Sequence, residues 1–218
     1  MTAATVRLAG EDTDVTIDGY ELFSARRALE LLKRKVGRDG LLELLEDEIA
    51  EDEIAEGEAF LRDHLIRSAG AEATGTTTLR ASGMTAAAFG RWLGAAFARE
   101  DVMLAGHPEH YAIHAEPGRL VNIVETLDDQ VCSFFMRPWA DSIDDVPAGR
   151  RSHMLLADGT VVGWIANVFE DEHEGFTVRL SVTLPVTCSP DVVEQHLEHF
   201  AVEFRTWILR AARESGEA

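Results

Sequence analysis

Phe176-Thr177-Val178-Arg179-Leu180-Ser181-Val182-Thr183-Leu184 is the stretch on which the fold turns. Phe176, Val178, Leu180, Val182 and Leu184 alternate with Thr177, Arg179, Ser181 and Thr183, so one face is core and the other is wet, as in an antiparallel strand. The same period of two extends upstream. Arg119 to Leu127 puts Val121, Ile123, Glu125 and Leu127 on one face, and Asp128-Asp129 turns the chain into Val131 to Arg137. Ser152 to Ala157 meets Asp158-Gly159, a strong hairpin signal, Thr160 to Glu170 returns, and Asp171 to Gly175 leads into the quoted strand. Residues 138–150 form a loop long enough to be a lid.

Downstream, Pro185 to Pro190 ends the sheet, and Ser189 or Asp191 can cap a final helix reaching about Glu214. Its core stripe is Val193, Leu197, Phe200, Phe204, Ile208 and Ala211. On a helix of ~3.6 residues per turn, His196 and Glu203 fall on the shoulder of that stripe, with His199 a little further round. The three share a flank that could look into a cavity between helix and sheet.

Ahead of the hairpins, a helix starting near Thr85 carries Phe89, Trp92, Leu93, Ala96 and Phe97 as one apolar stripe, either core or the wall of a ligand cavity. Gly106-His107-Pro108-Glu109-His110-Tyr111-Ala112-Ile113-His114 follows and concentrates three of the eight histidines. His107-Pro108 reads as a turn, because proline fixes φ and pushes its predecessor extended. His110 and His114 would lie on the same side of a regular strand. Glu125 sits among apolar neighbours, where a carboxylate costs several kcal/mol unless it is paired, hydrogen-bonded, protonated or bound to metal. His153 and His173 stand beside turns and are expected in solvent.

Towards the N-terminus the signals are helical. Val6 to Leu8 and Val15 to Ile17 are weak strand signals that could pair as a small hairpin. Ser24 can cap a helix through Ala25, Ala28, Leu29, Leu32 and Val36, ended by Gly37. A second helical pattern runs from Leu41 to Leu65, with Gly57 as the point where it can break. It contains EDEIA twice, at Glu46 to Ala50 and Glu51 to Ala55. Five residues rotate a helix by about 140° past a full turn, so the copies form a solvated acidic face rather than a repeat. Ser68 to Thr78, small and polar, reads as a linker, and Thr77 to Ala81 as a short strand after it. The expected organisation is an acidic, mainly helical segment, 1–70, followed by an α+β domain, 71–218, in which a curved antiparallel sheet grips a long C-terminal helix.

The 218 residues suffice to bury a core without a staple. Cys132 and Cys188 are too few and too far apart for a disulfide framework and are expected as core thiols. A net charge of -19 disfavours nucleic acid and anionic lipid. The absence of a long apolar run or a leader-like start makes a soluble, cytoplasmic protein the expectation. Lys33 and Lys35 are the only lysines, every other basic residue being arginine, a halophilic-like composition.

This order of elements resembles the helix-grip layout of the START and Bet v 1-like superfamily over residues 76–214. The resemblance implies a cavity for a small apolar or aromatic ligand. Within that superfamily, Gly83-Met84-Thr85, Arg91-Trp92-Leu93 and His107-Pro108-Glu109-His110 are similar to the metal-dependent diacetylphloroglucinol hydrolase family, which cleaves a carbon–carbon bond using two histidines and two glutamates. One pair comes from a His-x-x-x-Glu pattern on the last helix, matched by His199 and Glu203. The other implied pair falls on His107 or His110 and on Glu125. The chain departs from that pattern at Phe97, where alignment of the tryptophan-bearing helix puts the family's first histidine, and the His to Glu125 spacing is short.

Three functions follow as expectations. The first is binding of a small apolar molecule, with Glu125, Trp92 and His196 lining the site. The second is a metal-dependent hydrolase acting on a carbonyl or carbon–carbon bond, with zinc held by His107 or His110, Glu125, His199 and Glu203; imidazole and carboxylate are zinc ligands, and a catalytic site keeps one position open. The third is an interaction module in which the acidic residues 24–66 dock a basic protein, or a sheet edge pairs a second copy. No Gly-x-Ser-x-Gly elbow, phosphate-cradling Gly-rich loop or Cys-x-x-Cys occurs. The charge excess also predicts a salt response. Molar salt, with a Debye length of roughly 3 Å, should raise the melting temperature, and a melting temperature that stays level or falls would contradict self-repulsion.

Overall fold

The structure, a computed structural model, describes residues 15–45, 51–115, 120–127, 130–138, 149–188 and 190–216. Its elements are α1 (Val15–Leu44), α2 (Glu51–Ser68), β1 (Glu72–Ser82), α3 (Ala86–Ala96), α4 (Glu100–Leu104), β2 (His110–Ala115), β3 (Val121–Leu127), β4 (Gln130–Pro138), β5 (Gly149–Leu155), β6 (Val161–Glu172), β7 (Gly175–Pro185) and α5 (Pro190–Ser215). All seven strands form one antiparallel sheet in the order β1-β7-β6-β5-β4-β3-β2. Consecutive hairpins from β2 to β7 explain that order, and only β1 reaches its place by a long excursion through α3 and α4. The sheet curls around α5, which is the helix-grip fold.

Strand β7 behaves as its alternation predicts: Phe176, Val178, Leu180, Val182 and Leu184 are all fully buried. Its other face forms a hydroxyl ladder with β1, where Thr74 meets Thr183 at 2.7 Å and Thr76 meets Ser181 at 2.9 Å. The linker expected at 68–78 is therefore corrected, since Ser68 closes α2 and residues 72–82 pair with β7 along their whole length. Small side chains there reflect close packing. A Cβ on Gly75 would come within 2.5 Å of Val193 and 2.8 Å of Leu197, so glycine lets α5 lie against the edge strand.

Thr85 caps α3 through its Oγ1, which accepts from the Ala88 amide. Phe89, fully buried, stacks on Phe176 at 5.6 Å and meets Phe204 of α5 at 6.2 Å, joining three elements. At the far end of α5, Glu214 accepts from the Trp92 indole at 2.8 Å, from Arg99 at 2.7 and 3.0 Å, and from Arg210 at 2.9 Å. These contacts set the tilt of α5 over the sheet.

Several N-terminal expectations change. Val15 to Ile17 begins α1 rather than a strand, and Val6 to Leu8 lies outside the described residues. Ser24 is inside α1 and not its cap, whereas Gly37 (φ 70, ψ 176) does interrupt the helix. α2 runs unbroken through Gly57, which is buried where a side chain would strike the Val131 carbonyl and the Cys132 thiol. Helix α2 is held by Leu61, fully buried, by Arg62 to Asp158 at 2.9 Å, and by Thr187, whose hydroxyl donates to the His64 carbonyl at 2.9 Å. Cys132 and Cys188 are buried as thiols and not joined in a disulfide. His153 lies half-buried within β5 and not beside a turn. The Asp128-Asp129 turn and most of the loop at 138–150 lie outside the described residues.

Removing the Phe89 ring should uncouple α3, β7 and α5. Phe89→Ala is expected to lower unfolding free energy by about 3–5 kcal/mol in a denaturant titration, and a loss below ~1 kcal/mol would show that this stack does not anchor α5.

Candidate metal centre

Four side chains from three elements meet beneath the curl of the sheet. His110 opens β2, Glu125 comes from β3, and His199 and Glu203 stand one turn apart on α5. All four are buried, at 1, 3, 6 and 8% exposure. The His110 and His199 Nε2 atoms face each other at 2.9 Å. Glu125 Oε2 lies 3.5 Å from both nitrogens, and Glu203 Oε1 is 3.9 Å from His110 Nε2. These carboxyl separations exceed ordinary hydrogen bonds.

Local structure explains the convergence. β2 and β3 pair His110 with Glu125, but a bulge between His110 and Ala112 shifts the register. An extra residue on one strand re-aims side chains. His110 thus turns inward while His114 is exposed, 3.8 Å from Glu100, and the two do not share a side as a regular strand would require. The His110 Nδ1–H donates to the Met103 carbonyl at 3.1 Å. That bond fixes the tautomer and presents Nε2 to the cluster, the usual outer support of a metal-binding histidine.

The remaining expected residues separate into neighbours and bystanders. His196 is buried on the same helix flank, its Nδ1 3.9 Å from Glu125 Oε1. His107 stays outside the four-donor group. Its ring stacks on His199 with centroids 3.6 Å apart, and its Nδ1 accepts from the Glu109 amide at 3.2 Å. Trp92 is not brought to the cluster; it belongs to the Glu214 clamp. Two residues carry no expectation from sequence. Glu109, half exposed, has Oε2 4.0 Å from His199 Nδ1, and with His107 and His199 it forms a second group of closely spaced donors. Lys33 of α1 donates to the carbonyls of His107, Pro108 and His110.

Electrostatics make the pocket neutral. Burial pushes His110 down to about 3 and His196 to about 4; burial, then the charges of Lys33 and Arg26, take His107 to about 4. His199 is pushed lower still by burial and by the neighbouring imidazoles. Burial, then Glu109, raises Glu125 to about 8, and burial with Glu125 beside it holds Glu203 well above the usual carboxyl range. Neutral imidazoles need lose no proton to bind a metal, and the two carboxyls would release theirs on doing so. The donor atoms of His110, His199 and Glu203 lie within 4.8 Å of one another, with the Glu125 carboxyl beside them. Bonds of about 2.0–2.2 Å from one zinc-class ion span such a group with small adjustments. The donor set therefore fits a divalent transition metal.

No protein-family model and no curated protein matches the chain. Solved structures of similar shape include Ara h 8.0201, at 14% identity and TM-score 0.47 over 66% of this chain and 99% of that one. A START superfamily protein from Mycobacterium smegmatis matches at 10% identity and TM-score 0.45, over 66% of this chain and 99% of that one. The Zhui aromatase/cyclase from Streptomyces sp. R1128 matches at 12% and 0.39, over 66% and 95%. At such values the likeness carries nothing about ligand or chemistry, and the helix-grip assignment stands on strand order and α5.

A pH dependence follows for the metal-free protein. Between the ordinary value of 4.5 and about 8, Glu125 is protonated when folded and ionised when unfolded, so stability falls as pH rises. The buried imidazoles act oppositely, but only up to their ordinary value of 6.5. Stability in chelator should therefore decline from pH 6.5 to 8, by about 2 kcal/mol for one such carboxyl. Melting temperatures that stay level or climb across that window would show the carboxyls ionised in the folded chain.

Proposed function

We propose that the chain is a metal-dependent hydrolase for a small, apolar carbonyl compound, with His110, Glu125, His199 and Glu203 as the metal ligands. The observation that carries this reading is the burial of two imidazoles and two carboxyls, from β2, β3 and α5, with Nε2 atoms at 2.9 Å and carboxyls at 3.5–3.9 Å. Chains not built for a ligand rarely bury so many titratable groups together, because each ionised form costs several kcal/mol. The fit of the donor set and the His-x-x-x-Glu spacing support the same reading.

A zinc-class ion supplies Lewis acidity and an acidified water when bound. The chain's own residues do the rest. His110 is held by the Met103 carbonyl, and His199 is backed by the His107 ring, so both imidazoles are oriented before any ligand arrives. His196, near Glu125, is placed to steady that carboxylate or to move a proton. Phe200 against His196, with rings 4.5 Å apart, and Trp207 near His110 make the surroundings apolar, which strengthens electrostatic effects at a reacting carbonyl. Binding of a small apolar molecule, the first expectation from sequence, becomes the step that precedes the chemistry. In this reading residues 71–218 form the working domain of a soluble, cytoplasmic protein, and 1–70 attend it.

Metal analysis of freshly purified protein should find about one equivalent of a transition metal per chain. His199→Ala and Glu125→Gln should each lower affinity by more than the 10–100-fold typical of outer-shell changes. Glu125→Gln should raise the metal-free melting temperature at neutral pH, because the amide stays neutral in both states whereas the carboxyl ionises, and gains from it, only when the chain unfolds. A folded protein with no stoichiometric metal, before or after incubation with zinc, would sink the hydrolase and leave passive apolar binding.

A further inference from the structure

Lys33 stands on α1, more than seventy residues before the segment it touches. Its ammonium donates to the Pro108 and His110 carbonyls at 2.6 Å each and to the His107 carbonyl at 3.3 Å. The side chain is only 9% exposed. All three N–H donors are used, and the acceptors bracket the short segment that carries His107 and His110. Holding an ammonium here costs desolvation, so the contact needs a return beyond attaching a helix.

Geometry supplies one. The turn closes with the His110 amide on the His107 carbonyl at 3.3 Å, and the bulge that follows re-aims His110 towards Glu125. A carbonyl turned out of the ladder at a bulge must find another donor when buried, and Lys33 provides one for His110. The imidazole is thus gripped from two sides, by Met103 on Nδ1 and by Lys33 on its own backbone. An ammonium suits this task better than a guanidinium, because its three donors spread tetrahedrally towards converging acceptors while a planar fork directs its donors into one plane.

We propose that Lys33 is a positioning residue for the metal centre, through which α1 sets the orientation of His110 and the stacking of His107 on His199. This inference rests on the metal reading given above. It makes the N-terminal segment a working part of the site: metal affinity depends on α1 being docked, and any event that lifts α1 loosens His110.

The test is a chelator-competition measurement of zinc affinity on the full chain, with Lys33→Met and Lys33→Arg beside the unsubstituted protein. It is paired with the visible absorption of the cobalt-loaded forms, which reports ligand geometry rather than stability. Lys33→Met should bind zinc 10–100-fold more weakly, the range for loss of an outer support, with a changed cobalt spectrum. Lys33→Arg keeps the charge, and a cavity of about 60 Å³ beside Lys33, lined also by Arg26, Leu29 and His107, gives the larger group room. Its affinity should fall at least threefold and lie between the other two. If Lys33→Met does not fold, the arginine variant decides alone by the same criterion. Unchanged affinity and spectrum in a folded Lys33→Met, or in Lys33→Arg where it decides alone, overturn this inference and leave the metal reading intact. Failure of the unsubstituted protein to bind metal overturns the metal reading and this inference with it.

Discussion

Two buried carboxyls and two buried imidazoles meet in the gap between the sheet and α5, Glu125 and His110 from the sheet and Glu203 and His199 from the helix, and the rest of the structure depends on how that group is kept neutral. Two unpaired negative charges there would cost several kcal/mol each, a large share of the margin of about 5–15 kcal/mol by which domains stay folded. Without a cation the carboxyls hold their protons, in keeping with the raised values of both. With one, they are matched by its charge. Either way no member can be treated singly, because each group sets the protonation of the others.

Placing those groups requires α5 to sit at one height and one rotation over the sheet. The Phe89 stack and the Glu214 clamp fix its C-terminal half, while Gly75 lets its N-terminal half approach β1. Gly106 makes the third adjustment. A Cβ there would lie 2.5 Å from the Trp207 indole nitrogen, so glycine allows the indole, one turn after Glu203, to pack on the junction between α4 and β2. His110 follows four residues later. The helix that carries two members of the buried cluster is thereby seated on the junction that carries a third.

Much of this was legible in the sequence where burial follows a period. β7 and the stripe of α5 show their faces directly, and the inward alternation of β3 marks Glu125 as a buried carboxyl in need of partners. What failed to show depends on particular contacts. The first half of β1 reads as a linker because its residues are small and polar, and at Gly75 the small residue is there because α5 lies against it. The opposite facing of His110 and His114 comes from a bulge, which breaks the period of two. That His110 rather than His107 meets Glu125 and Glu203 needed the distances. Lys33 was visible only as an oddity, one of two lysines in a chain that otherwise uses arginine.

That oddity bears on the charge of the whole molecule. With a net charge of -19, the chain has little positive charge to spare, yet Lys33 is turned inward onto carbonyls rather than outward onto a carboxylate. An acidic surface gathers cations and repels anions at short range, within a Debye length of about 10 Å at moderate salt. Such a field favours the approach of a cation, and of an uncharged small molecule over a phosphorylated one. It does not choose the metal. Calcium and magnesium gather at oxygen donors, whereas paired imidazoles favour zinc-class ions. Under the proposed metal reading, the surface would bring cations near, and His110 and His199 would select among them.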